Sequence, residues 1–201
     1  MLISIHIPKC AGSSVLNALA QSYRMRLLKD YPWKNVDPAK VDPTVQCIHG
    51  HFPAAKYKNF PNARFVTWMR HPVDRLQSHY IYWKYRSKAS TPARIKMLDE
   101  DWSFERFCMD DWTHNLCHRL MTGATFEFVG LVERIKNDWP IFHNRYIAGG
   151  PDVSTAKATL PKTNRAVKPK FAISPELRSK IEQRHDKDME LFHLIKQNRP
   201  H

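Results

Sequence analysis

Acidic residues are scarce in this chain: 19 Asp and Glu stand against 32 Lys and Arg in 201 residues, a formal charge of +13. The imbalance favours an anionic partner, whether nucleotide, nucleic acid, anionic glycan or acidic membrane surface, and does not by itself choose among them. Cysteine is sparse too. Cys10, Cys47, Cys108 and Cys117 form no C-x-x-C pair and no metal-type spacing, so free thiols in a reducing compartment are expected and a disulfide framework is not. Long apolar runs are missing: the first spans six residues and is interrupted by His6, which does not resemble a secretory leader, and no stretch approaches the length of a bilayer span. The expectation is a soluble, cytoplasmic protein. Internal repeats and low-complexity blocks are absent. So is G-x-x-x-x-G-K-[ST], which counts against an ATP-type phosphate loop. No pair of carboxylates presents itself as a magnesium site, and no metal is expected.

What is present begins at the N-terminal end. Leu2-Ile3-Ser4-Ile5-His6-Ile7 runs directly into Pro8-Lys9-Cys10-Ala11-Gly12-Ser13-Ser14 and then into an Ala-rich apolar segment. That order reads as strand, small-residue loop and helix. Small side chains at Ala11, Gly12, Ser13 and Ser14 allow an anion close to the backbone, and the start of the helix directs free N–H groups and its positive dipole end at the same point. Lys9 adds an ammonium, and the two serines add hydroxyls. Taken alone, the pattern also fits an ordinary strand-to-helix turn with a surface lysine.

With 42% hydrophobic and 11% aromatic residues the chain can bury a good core, and residues 1–201 are expected to form one domain. Periodicity predicts a helix over Ser14–Leu28, a Pro-bearing loop over 30–44, and strands at Val45–His49 and Ala63–Met69. A helix is expected from Pro72 through Trp83, and a polar segment with some helix over 86–101. Ser103 is expected to cap a helix over Phe104–Cys108, with a further helix over Trp112–Met121. A strand at Phe126–Leu131, a helix over Ile135–Tyr146 broken near Pro140, a basic loop over Gly149–Lys170 and one long helix opened by Ser174-Pro175 complete the reading. The alternation implies an α/β domain with a central, mainly parallel sheet flanked by helices.

In such a sheet ligands bind at the carboxyl ends of the strands. Lys9 follows the first strand, His49 and His51 follow the second, and Arg70 follows the third. Ser78, eight residues after Arg70 along a helix, can reach the same anion as Arg70; Arg75 either joins them or pairs with an acid. Trp33, Trp102 and Trp112 could stack on a sugar, although core positions suit them better.

Ile5-His6-Ile7-Pro8-Lys9-Cys10-Ala11-Gly12-Ser13-Ser14 resembles the 5′-phosphosulfate loop of sulfotransferases that use 3′-phosphoadenosine 5′-phosphosulfate, particularly the carbohydrate branch with the uronyl 2-O-sulfotransferases. The segment Arg70-His71-Pro72-Val73-Asp74-Arg75-Leu76-Gln77-Ser78-His79-Tyr80 resembles their 3′-phosphate element, R-x-P-x-x-R-x-x-S-x-Y. Ile48-His49-Gly50-His51-Phe52 resembles the segment that supplies the base in the 2-O branch, and Phe128-Val129-Gly130-Leu131-Val132-Glu133-Arg134 a later strand-to-helix junction. Four elements in the family's order are hard to obtain by chance.

The resemblance implies a sulfotransferase fold of the P-loop-kinase-like kind. It makes Lys9 the partner of the donor's 5′-phosphosulfate, cradled by Cys10, Ala11, Gly12, Ser13 and Ser14, with Arg70 and Ser78 on its 3′-phosphate. It makes His51 the general base, with His49 in reserve, and a hydroxyl on a carbohydrate the acceptor. Cys10 stands where the family commonly has Thr, and His71 where Asp or Asn is frequent. Competing readings are a nucleotide-dependent kinase of related architecture and a basic nucleic-acid-binding module. The second rests on the charge and on the aromatic and basic run Tyr80, Tyr82, Trp83, Lys84, Tyr85 and Arg86, which also fits a helix with one buried face, and no nucleic-acid partner is expected.

Overall fold

A computed structural model of the chain describes residues 1–32, 34, 36–85, 91–148 and 171–198. Two compact units divide it, Met1–Met69 with Arg119–Arg165, and Arg70–His118 with Ala166–His201. The basic segment Gly149–Lys170 and Trp33 lie outside the described residues.

The first unit is built on a five-stranded sheet. Strands β1 (Leu2–Ile5), β2 (Leu27–Asp30), β3 (Cys47–Gly50), β4 (Arg64–Met69) and β5 (Phe126–Leu131) lie in the order β2-β3-β1-β4-β5, and every pairing is parallel. Parallel strands covered on both faces read as continuous apolar runs, and β1 is buried at all four positions. This is the α/β class that the alternation of elements implies. Helix α1 (Gly12–Tyr23) buries Val15, Ala18 and Leu19. Its far end is tied down by Ser22 Oγ donating to the Ile147 carbonyl (2.8 Å) and Tyr23 Oη to that of Tyr146 (3.0 Å).

Helical spacing extends α1 to Leu28, but the structure ends it at Tyr23. Arg24 turns to φ 45° and donates its N–H back to Ala20, a short 3₁₀ turn covers Arg24–Arg26, and Leu27–Asp30 becomes β2. Pairing of Leu27 and Leu28 with Cys47 and Ile48 of β3 outweighs the local helical pattern. Helix α6 (Ile135–Phe142) contains Pro140, which has no N–H and crowds the carbonyl four residues back. The helix continues to Phe142 and then widens into a π turn over His143–Ile147, closed by the Ala148 N–H on the His143 carbonyl.

In the second unit α2 (Pro72–Tyr85) packs Val73, Leu76, Tyr80 and Trp83 with Met97, Trp102, Phe107 and Ile181 into one core. Tyr82 and Tyr85 stay exposed, so the aromatic run is a helix with one buried face. Helix α3 (Pro92–Asp99) is followed by α4 (Phe104–Met109), capped by Ser103 Oγ accepting from the Arg106 N–H (3.1 Å). Helix α5 (Leu116–Met121) begins in this unit. The C-terminal helix expected to be continuous is two, α7 (Pro175–Arg184) and α8 (Asp186–Gln197), parted at His185. The ring of His185 explains the break: Nδ1 accepts from the Asn115 N–H (3.2 Å) and Nε2 donates to the Cys108 carbonyl (2.9 Å).

Candidate active site

Register alone brings the histidines together. Ser4 of β1 lies beside His49 of β3, and His49 beside Lys29 of β2. Side chains two residues apart share a face, so His6, His51 and Tyr31 follow as a row just past the carboxyl ends of three adjacent strands. Gly50 permits this closeness: a Cβ there would sit 1.5 Å from the Asp30 carbonyl oxygen. The Asp30 carboxylate is engaged elsewhere, with Lys56 Nζ at 2.7 Å and Tyr57 Oη at 2.9 Å.

The rings stack. His6 and His51 lie 4.1 Å apart between centroids at 27°, and His6 and His49 5.3 Å apart at 24°. Tyr31 meets His51 edge-on at 5.0 Å and contacts His6 Nδ1 through its hydroxyl at 3.1 Å. His49 Nδ1 contacts Ser4 Oγ at 2.9 Å, while its Nε2 is buried without a partner. His51 Nδ1 lies 2.5 Å from the His6 carbonyl oxygen. A carbonyl only accepts, so Nδ1 carries the proton and Nε2 of neutral His51 keeps its lone pair.

Electrostatics keep the cluster neutral. Burial lowers the His51 pKa from its ordinary value, with the bond to the His6 carbonyl partly opposing. His49 is pushed down to about 3 by burial, with His51 and Lys29 adding to it. Burial holds His6 well below the usual imidazole range, and His51, His49 and Lys9 act in the same direction. Tyr31 is pushed up to about 12 by burial and stays a hydroxyl.

The loop after β1 adjoins this row. Lys9 (φ 70°) and Ala11 (φ 60°) both adopt left-handed backbone, uncommon for residues with a side chain and found where function maintains strain. Ala11 is the N-cap of α1, no side chain caps the helix, and its first turn holds no acid. Gly12 is required by proximity: a Cβ on it would stand 1.8 Å from the His6 ring. Ser14 is buried and Ser13 exposed. Cys10 is buried with its thiol toward the Pro8 carbonyl at 3.8 Å, which does not present it as a nucleophile.

Arg70 and Ser78 belong to the second unit. Arg70, half-buried, precedes α2, and Ser78 lies on it, buried, with its Oγ unpartnered. Arg75 takes the structural alternative: it is fully buried, with Nη2 3.9 Å from Oδ2 of the equally buried Asp188. Asp188 also accepts from the N–H groups of Cys117 (3.2 Å) and His118 (2.8 Å) in the first turn of α5. Of the tryptophans, Trp102 is core, while Trp112 is 38% exposed and packs on Trp83 at 4.6 Å.

His6 and Tyr31 are functional candidates that sequence patterns do not single out. The available signal is the alternation Ser4, His6 against His49, His51; Tyr31 becomes visible only once β2 is recognised. Among the described residues no group of three or more His, Cys, Asp or Glu is arranged to hold a metal ion, and no helix is long and apolar enough to cross a membrane.

Comparison with solved structures finds similarity to a sulfotransferase from Alicyclobacillus acidocaldarius, at TM-score 0.48 and 14% identity over 97% of this chain and 95% of that one. The mouse sulfotransferase SULT7A1 complexed with PAP is similar at TM-score 0.38 and 13% identity over 90% of this chain; the match spans 62% of the mouse chain. No protein-family model matches the chain, and no curated protein sequence matches it.

Proposed function

We propose that the chain is a sulfotransferase that moves a sulfuryl group from 3′-phosphoadenosine 5′-phosphosulfate to a hydroxyl on a carbohydrate acceptor. The observation that carries this reading is the bond from His51 Nδ1 to the His6 carbonyl, which leaves Nε2 free to accept on a ring stacked over His6, whose own ring abuts Gly12 at the uncapped start of α1. A hydroxyl is a weak nucleophile, and a neutral imidazole able to take its proton is what an in-line transfer requires. The acceptor O–H gives its proton to His51 Nε2, its oxygen bonds to sulfur, and the bond from sulfur to the phosphate oxygen breaks. The leaving group is 3′-phosphoadenosine 5′-phosphate. Lys9 and the amides at the start of α1 meet the charge that grows on the leaving phosphate, in the way that fixed cations and dipoles serve phosphoryl transfer.

Arg70 and Ser78 are assigned to the 3′-phosphate by the R-x-P-x-x-R-x-x-S-x-Y resemblance. A carbohydrate acceptor follows from the branch that the four motifs resemble, and the net charge of +13 suits an anionic glycan. The test is transfer of radiolabelled sulfate from the donor to a panel of desulfated glycans. Label in at least one glycan with wild type and none with Lys9→Ala is the expected result; incorporation that survives Lys9→Ala refutes the assignment.

A further inference from the structure

We propose that His6 and Tyr31 are positioning residues that lock the His51 ring in its base-competent orientation, and that Gly12 joins this lock to the anion-binding end of α1. The proposal rests on the sulfotransferase reading for the task of His51. A single hydrogen bond from Nδ1 to the His6 carbonyl sets the tautomer but leaves the ring free to tilt about that axis. Stacking of the His6 imidazole at 4.1 Å removes that freedom on one face, and the edge of Tyr31 at 5.0 Å limits it on another.

His6 is itself held from two sides. The Tyr31 hydroxyl is 3.1 Å from its Nδ1, and Gly12 abuts its Cδ2 and Nε2, where a Cβ would come within 1.8 and 1.9 Å. One imidazole therefore touches both the base and the first residue of α1. Among the described residues the titratable groups facing the pair are Lys9 from the loop, Tyr31 just past β2 and His49 from β3, while Lys29 of β2 acts on His49. None of these carries a carboxylate, and the Ser4 hydroxyl contacts His49. Nothing in that set favours a second proton on His6, so its ring stays neutral beside the base. An anion drawn against the amides of α1 presses on the residue that stacks over the base.

The test is ring-nitrogen NMR on imidazole-labelled wild type, Tyr31→Phe and His6→Gln, with His51 identified by its loss in His51→Asn. Calorimetric binding of 3′-phosphoadenosine 5′-phosphate is measured on the same samples. Wild-type His51 is expected as the Nδ1–H tautomer with a midpoint below 6.5. In both variants the midpoint is expected to rise by about half a unit or more as the His6 stack loosens over the ring, with nucleotide affinity in Tyr31→Phe changed by less than about twofold. In turnover, Tyr31→Phe is expected to lower kcat by about tenfold, short of the loss caused by removing the base. A His51 midpoint and tautomer identical in all three proteins overturns the positioning role, as does an Nε2–H tautomer in wild type. Failure of wild type to bind the nucleotide overturns the sulfotransferase reading instead, because the ring measurements need no ligand. Tyr31→Phe removes one oxygen and keeps the test decisive should His6→Gln not fold.

Discussion

His51 donates its Nδ1–H to the backbone carbonyl of His6 across 2.5 Å, a bond just past the carboxyl ends of the adjacent parallel strands β1 and β3 that commits the opposite ring nitrogen to accepting. His49, two residues earlier on the same face, is paired with Ser4 and is 1% exposed. The two histidines should therefore separate cleanly. His51→Asn is expected to reduce transfer by about 10²–10⁴ with nucleotide binding intact. His49→Ala is expected to cost about 1–3 kcal/mol of stability and much less in rate. Steady-state kinetics and denaturant unfolding of both variants check this.

Gly12 and His6 occupy one space. Gly12→Ala places a methyl 1.8 Å from the imidazole, and the resulting overpacking is expected to destabilise by about 1–3 kcal/mol and weaken nucleotide binding. Adding His6→Ala empties that space, so the double variant should be more stable than Gly12→Ala alone. Urea midpoints across the cycle measure the coupling.

Acid should unfold the protein through its buried imidazoles. His49 in the folded state titrates at about 3 and His185 at about 4, against 6.5 for an ordinary histidine. Below pH 6.5 the unfolded chain binds protons that the native state refuses, so stability falls as pH drops from 6.5 toward 4, by up to about 1.4 kcal/mol per pH unit for each such group. Above pH 6.5 these groups contribute no slope. Thermal midpoints at half-unit steps from pH 4 to 8 should show the decline on the acid side.

Asp188 serves two partners at zero exposure, the Arg75 guanidinium at 3.9 Å and the start of α5. Asp188→Asn removes the charge that faces a buried cation and is expected to cost about 3–5 kcal/mol. Chemical denaturation reads the loss, and Arg75→Met combined with Asp188→Asn should recover part of it.

Much of this arrangement is legible in the sequence where one local signal dominates. The strand at Phe126–Leu131 and the caps at Ser103 and Ser174 agree with the structure residue for residue, because periodicity and cap chemistry act over a few positions. Leu27 fails for the opposite reason: it continues the helical spacing of Leu19 and Tyr23, and only its pairing with Cys47 makes it a strand. Tyr31 is hidden by the same misreading. His6 looks like an interruption of an apolar run until the parallel register puts it beside His51, and His185 breaks a helix through contacts with Cys108 and Asn115, about 70 positions or more away in the chain.

The central claim is tested most directly by calorimetric titration with 3′-phosphoadenosine 5′-phosphate, with adenosine 5′-phosphate as control, on wild type, Lys9→Ala and Arg70→Ala. The account predicts tight binding to wild type that weakens at least about tenfold when the 3′-phosphate is absent or when either cation is removed. Equal affinity for the two nucleotides, or binding indifferent to Lys9 and Arg70, would contradict it.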